Sequence, residues 1–358
     1  MNGNFHRGLR RFCSILIGAT FLLSGLLKLM DPVGTGLIVK EYLNFFHLTS
    51  LNGVAGLFGA GLAFIEVAIA VLMMFGVFRH FTTFFSGAVI VFFTIITAIL
   101  LIFNPEMECG CFGEAIPLTH MQTFIKNVIL LILWAVTVFP MSSAGTPKTR
   151  KFIGFGIVCL SILGFAIYSF LNIPLVDFTD FAPGTEIMAA QNDEFIEEGE
   201  NLPEKIVNVL SISDISGEYM DWIAAEGDVM LSTVYRPEKM TEDSWEKVRT
   251  VLQDAQSLGM KPIILCASME SIPIEISDLT YFSDYKTLIT LNRSNGGFTY
   301  LSDGRIITKW SLREGPGPES LNKALGKNPL ELMMTIDTEK RLSFQFYFIL
   351  SFLIMLIV

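Results

Sequence analysis

Two cysteines stand one residue apart in the stretch Glu108-Cys109-Gly110-Cys111-Phe112-Gly113. Closing a disulfide between them makes a small, strained ring, and strained, exposed disulfides are the oxidising, easily exchanged kind. Gly110 supplies the backbone freedom such a ring needs. A tight glycine-rich loop, or one permanent bridge, accounts for the same spacing, and the residues alone leave both readings open. A metal centre is disfavoured, because two thiolates fill half of a tetrahedral shell and His120 is the only other good ligand nearby.

A second set of polar residues sits where charge is costly. Glu66 lies in the middle of the apolar run Phe64-Ile65-Glu66-Val67-Ala68, so it needs a partner or a proton there. Lys28 follows Ser24 by four residues and shares its helix face. A Lys28–Glu66 pair lining a polar interior site is the expectation, against snorkelling of Lys28 to the surface. Cys13, Cys159 and Cys266 fall in apolar segments and read as small core residues.

The elements that position these residues are membrane spans. The chain has 358 residues, 51% of them hydrophobic, with 31 Phe and a mean hydropathy of +0.53. Apolar runs at 12–30, 53–77, 81–103, 122–140 and 152–172 are each close to the ~20 residues that cross a bilayer as a helix. The 15 residues Phe344 to Val358 form a short sixth run, a span or a reclining anchor. No small-residue cleavage site follows the first run, so it reads as a retained span rather than a signal peptide.

Basic residues of short loops mark the cytoplasmic side. They occur at the N-terminus, at Arg79-His80 and at Lys148 to Lys151. The loops 31–52 and 104–121, and everything after 172, are then placed outside, on the periplasmic face of a bacterial inner membrane. Lys340 and Arg341 oppose the rule. Residues 1–172 hold ten Lys and Arg against six Asp and Glu, net +4, and residues 173–358 hold 15 against 29, net −14. An acidic exposed part excludes nucleic acid as a partner; the lipid bilayer and a periplasmic thiol or disulfide protein are the partners expected.

Past Pro174 the pattern changes to strands at 206–213, 229–235 and 261–267, a helix at 241–258, and strands at 297–302 and 305–310 joined by an Asp303-Gly304 turn. That order is a small α/β domain of thioredoxin type. It has no Cys-x-x-Cys: Arg236-Pro237-Glu238-Lys239-Met240 stands where that motif would follow the strand, so the domain cannot act as a dithiol oxidoreductase alone. Trp245 and Trp310 read as core or rim aromatics.

Phe21 to Pro32 (FLLSGLLKLMDP), Glu66 and Cys109-Gly110-Cys111-Phe112-Gly113 together resemble the DoxX/MauE membrane family over roughly residues 10–140. The resemblance implies a four-helix membrane domain tied to redox work, such as disulfide formation in a periplasmic dehydrogenase subunit during methylamine utilisation, or quinone-linked sulfur oxidation. It implies Cys109 and Cys111 as the redox pair and Ser24, Lys28 and Glu66 as the lining of the bundle, beside which a quinone would accept electrons. The fusion to an outer domain is similar to Bacteroidetes-type DoxX proteins. Ser283 to Leu288 and Asn292 to Phe298 resemble the thioredoxin segment around its cis-proline, with Gly296 in the proline's place.

The fold class expected is a membrane all-α helix bundle, four core spans plus a fifth, with a C-terminal α/β thioredoxin-like extramembrane domain. Its divisions fall at 1–142, 143–176, 177–340 and 341–358. The first functional expectation is thiol–disulfide exchange or electron transfer to the quinone pool, in support of periplasmic protein maturation. The alternative is a non-enzymatic anchor or assembly factor with structural cysteines. A transporter is a weaker third, because only Lys28 and Glu66 hint at a polar pathway.

Overall fold

A computed structural model describes residues 2–138, 149–174, 176–187 and 209–325. The expectations for Phe344 to Val358, for Lys340 and Arg341 and for residues 206–208 lie outside them. The chain divides into two compact units, with the boundary between Phe170 and Leu171.

The first unit is helical: α1 (Asn2–Met30), α2 (Pro32–Phe45), α3 (Ala55–Phe75), α4 (Arg79–Phe103), α5 (His120–Val138) and α6 (Thr149–Leu171). Five of these are long and apolar enough to cross a membrane: Gly8–Met30, Thr49–Met74, His80–Phe103, His120–Val138 and Lys151–Leu171. Their outward faces carry large apolar side chains such as Leu57, Phe84, Ile102 and Leu160. Lys28, Glu66, Thr97 and Asn127 are buried inside. This polarity, apolar out and polar in, suits lipid as the surrounding solvent. The chain is a multi-pass membrane protein.

Helix α1 is the centre of the bundle. One apolar cluster joins it to α3 and α6 through Leu29, Val67, Val71, Val158 and Ile162. A second joins it to α3, α4 and α5 through Ile17, Phe21, Ile69, Ile90 and Leu130. The α1–α3 seam is close because α1 has no side chain at two points. A Cβ on Gly25 would stand 2.8 Å from the Ala63 carbonyl oxygen and 2.5 Å from Val67 Cγ2, and one on Gly18 would stand 3.1 Å from the Ala70 carbonyl oxygen. Without a hydrophobic drive between helices in lipid, such small-residue contacts let backbones pack. Here they also bring Lys28, three residues after Gly25, level with Glu66, next to Val67.

The region 31–52, expected as a loop, holds α2 and a 3-10 turn at Thr49–Val54. Asp31 caps α2, its carboxylate accepting from Gly34 N at 2.8 Å, and Pro32 occupies the first turn. Both are ordinary helix-start signals. A helix of 14 residues is too short to span, which is why hydropathy alone leaves it unseen.

The second unit is α/β. Strands β2 (Asp228–Val234), β3 (Lys261–Cys266), β4 (Thr280–Phe282), β5 (Gly297–Ser302) and β6 (Arg305–Trp310) form one sheet in the order β4-β3-β2-β5-β6; β1 is the short Cys111–Glu114 segment of the first unit. The β2–β3 and β3–β4 pairs are parallel, and β2–β5 and β5–β6 antiparallel. Helices α7 (Trp222–Ala225), α8 (Glu242–Ser257), α9 (Tyr285–Leu291) and α10 (Pro318–Leu325) complete the unit. Trp245, Val248, Met230, Phe298 and Leu321 make the core on one face, and Leu210, Ile212, Leu231, Ile263 and Leu288 the core on the other. Trp310 packs at the edge of the first. Asp303 and Gly304 turn the β5–β6 hairpin with φ of 46° and 73°, the paired left-handed values of a two-residue hairpin turn.

The strand expected at 206–213 is not formed within the described residues 209–213, which make only isolated bridges from Ser213 to Tyr219 and Phe282. Ser211 turns left-handed at φ 51°, and the Asp221 carboxylate accepts from Ile212 N at 2.8 Å, replacing a ladder partner. The alternation that suggested a strand records the burial of Leu210 and Ile212 instead.

Lys309 on β6 donates to Asp177, just past the last span, at 2.6 Å, with both side chains largely buried. Burial alone would raise the Asp177 carboxyl, but the Lys309 charge and bonds from Thr179 hold it below its usual 3.8. A lowered folded value stabilises the unit above that usual value, and the contribution is lost as pH falls through the lowered one. Asp177→Asn should cost roughly 3 kcal/mol, read as a lower unfolding midpoint by tryptophan fluorescence of the full chain. The deficit should close as pH drops below about 4.

Candidate functional site

The site is built in the first unit from α1, α2, α3, α5 and the loop between α4 and α5. Lys28 Nζ donates to Glu66 Oε1 at 2.6 Å and to Ser24 Oγ at 3.1 Å. Ser24 Oγ stands 2.6 Å from Glu66 Oε2 and 2.6 Å from the Cys111 carbonyl oxygen. A hydroxyl has one hydrogen, so Ser24 can donate to only one of these acceptors at a time. It therefore ties the backbone of the cysteine loop to the buried ion pair. Side-chain exposures of 5% for Lys28 and 1% for Glu66 bury the pair deeply. Such a pair is kept by its mutual hydrogen bonds, since either charge alone would be uncompensated.

The cysteine loop is held by α2 as well as by Ser24. Tyr42 of α2 donates its hydroxyl to the Cys109 carbonyl at 2.8 Å. Burial, then the nearby Cys111 and Cys109 sulfurs, push the Tyr42 phenol above its ordinary value, so it stays a donor. Gly110 adopts φ +58°, and a Cβ there would lie 2.4 Å from Ile38 Cγ2. Two constraints, a left-handed backbone and contact with α2, thus require glycine between the cysteines.

All five cysteines are free thiols. Cys109 is buried and Cys111 half-buried. The expectation of two exposed sulfurs is corrected for Cys109: α2 folds over the loop and covers it. Cys109 Sγ lies 2.8 Å from His120 Nδ1, and His120 Nε2 lies 3.0 Å from the Pro105 carbonyl oxygen. A carbonyl only accepts, so the hydrogen is assigned to Nε2, and Nδ1 is left to face the thiol. His120 is the first residue of α5, eleven positions from Cys109. The sequence reading weighed it only as a metal ligand, and the signal for its actual partner was a lone histidine shortly after the cysteines. Burial raises the Cys109 thiol, and a Thr123 hydroxyl and the Lys126 charge act against that rise.

Ser24, Lys28, Glu66, Cys109 and Cys111 all line one cavity of about 260 Å³. Its remaining walls are mostly apolar, with Phe21, Phe93 and Leu130 among them, and Asn127 adds an amide that donates to Thr97 Oγ1 at 3.2 Å. The structure thus brings together the two polar sets that the sequence placed in separate segments. Among the described residues no group of three or more His, Cys, Asp or Glu is arranged to hold a metal ion. In the second unit Cys266 is the sole cysteine, fully buried, its thiol pushed up to about 12 by burial.

Comparison with known proteins agrees with the helical unit. Residues 7–140 match the family described as methylamine utilisation protein MauE. Protein TlpB of Flavobacterium psychrophilum is 35% identical over 72 residues, 20% of this chain and 19% of that protein, so the chain spans about a fifth of this relative. No solved structure matches.

Removing one charge should strand the other. Glu66→Ala or Lys28→Ala should each destabilise the bundle by about 3–5 kcal/mol. The double variant should lose less than the sum, because no charge is left unpaired. Unfolding in detergent, followed for all three variants, measures the difference. Gly110→Ala should cost about 1–2 kcal/mol from the backbone alone and should open the Cys109–His120 contact, read as faster alkylation of Cys109.

Proposed function

Starting from a MauE-type helical domain at residues 7–140, we propose that this protein is a membrane thiol–disulfide component. In this reading Cys109 and Cys111 exchange with an external dithiol and hand electrons to an acceptor within the bundle. The single observation that carries it is the shared cavity: a free cysteine pair and a buried ammonium–carboxylate pair line the same 260 Å³ space. Charge held in the interior of a membrane bundle calls for a use.

A quinone is the acceptor we favour. When bound, it would supply a lipid-soluble sink for two electrons and two protons. Cavities for drug-sized ligands begin near about 300 Å³, so this one suits a single-ring headgroup. The donors fit carbonyl oxygens: Lys28 and Ser24 on one wall and Asn127 on another, between apolar side chains. Lys28 and Ser24 would orient a carbonyl oxygen, Glu66 would hold Lys28 in place, and the apolar walls would keep water from the thiols.

The external partner would be a periplasmic protein, and the membrane the bacterial inner membrane, on the basis of the basic loops at Arg79-His80 and Lys148 to Lys151. The outer unit supports a thioredoxin-type reading by its β2-α8-β3 crossover, its β5–β6 hairpin and its strand order. Gly296 has φ +79°, a value closed to proline. With neither a proline there nor a second thiol, the domain would position a partner protein rather than react with it.

A second reading, in which the chain is an anchor or assembly factor, draws on the lone buried Cys266. Trapping thiols with an alkylating reagent across a series of redox buffers separates the two. Exchange predicts that Cys109 and Cys111 pass together from thiol to disulfide and that Cys111→Ser abolishes the transition. It further predicts that Lys28→Met slows reoxidation of the pair by at least about tenfold. Cysteines fixed in one state at every potential would leave the anchor reading in place.

A further inference from the structure

The two cysteines have unequal surroundings, and the difference assigns them different tasks. Cys111 is half-buried at the start of the short β1 segment, and its carbonyl is held by Ser24. Cys109 is buried at 5% exposure, under Tyr42 and beside the cavity, with the imidazole of His120 against its sulfur. His120 is itself held by the Pro105 carbonyl, so a thiol, a base and an orienting group stand in line. That is the arrangement by which a sulfur gains or loses a proton in step with bond making.

We propose that Cys111 is the sulfur that meets the external partner, while Cys109 is the interior sulfur whose proton passes through His120, a positioning and proton-transfer residue. This rests on the thiol–disulfide reading above. In the exchange step an external thiolate bonds to Cys111 Sγ, the Cys109–Cys111 bond breaks, and its electron pair goes to Cys109 Sγ. The proton released by the external thiol is taken up at His120 Nδ1 and passes from there to Cys109 Sγ, while Nε2 keeps its own hydrogen on the Pro105 carbonyl. The partner's second thiolate then attacks its own sulfur in the mixed disulfide, and Cys111 leaves as the second thiol. The external dithiol loses two electrons and becomes a disulfide. Its two protons end on Cys109 and Cys111, the first by way of His120.

The charged and titratable groups facing the Cys109 sulfur are Cys111 and Glu108 from its own loop and Lys126 and His120 from α5. Tyr42 of α2 faces its backbone. None of the others is within hydrogen-bond reach of the sulfur in the way His120 is. Neighbouring Thr123 offers a hydroxyl without a titration. His120 is therefore the basic group placed to carry a proton to or from the Cys109 sulfur.

Purified full-length protein in detergent tests both halves. Reduced Cys109→Ser, which keeps Cys111, should take up glutathione from oxidised glutathione at least about tenfold faster than Cys111→Ser, which keeps the buried thiol. A reversed or equal order overturns the assignment. In the Cys111→Ser background, the pH profile of Cys109 alkylation by iodoacetamide should depend on the residue at position 120. His120→Ala and His120→Gln should both change that profile and lower the rate at pH 7 by about tenfold or more. The glutamine variant keeps a polar side chain at the position, so the test stands if the alanine variant fails to fold. An unchanged profile in the folded glutamine variant refutes the role of His120. If neither single-cysteine protein takes up glutathione, the thiol–disulfide reading itself falls; equal uptake with an unchanged profile removes only the division of labour.

Discussion

The helical unit depends on one interaction, the ion pair between Lys28 and Glu66 in the interior of an apolar bundle. Lipid cannot solvate either charge, and the pair satisfies them only if α1 and α3 approach within side-chain reach. Gly18 and Gly25 permit that approach by leaving the Ala63 and Ala70 carbonyls uncrowded. The pair in turn fixes Ser24, whose hydroxyl reaches the Cys111 carbonyl. A packing choice on α1 is thereby transmitted to the geometry of a loop about 85 residues away in sequence.

The spans were legible because lipid imposes a length and a composition that nothing else in the chain imitates. The partner of the buried charge was legible too: Glu66 in the middle of a span demands one, and Lys28, on one helix face with Ser24, was the candidate. Helix α2 was not legible from hydropathy, yet Asp31-Pro32 carried its start signal, and an inspection for caps rather than for apolar length would have found it. In the second unit the paired strands and the Asp303-Gly304 hairpin follow from local rules. The segment 209–213 misled, because Leu210 and Ile212 alternate into the core without pairing as a ladder. The Cys109–His120 contact was beyond a local reading. It depends on Asn104, at φ 41°, ending α4 and on the 104–119 loop folding back so that the first residue of α5 meets the cysteine.

The two units divide chemistry between them by what each can hold dry. The sheet of the second unit buries its single cysteine, and burial raises that thiol far above the range in which it could exchange. The membrane unit buries Cys109 as well, but beside a hydroxyl and a cation that act against the same penalty, with a base at its sulfur. Burial therefore silences one sulfur and equips the other. What separates them is the polar company that the bundle assembles around its cavity. That company includes Ser24, which shares its hydroxyl between loop and ion pair and so lets a change at the cysteines be felt at Glu66.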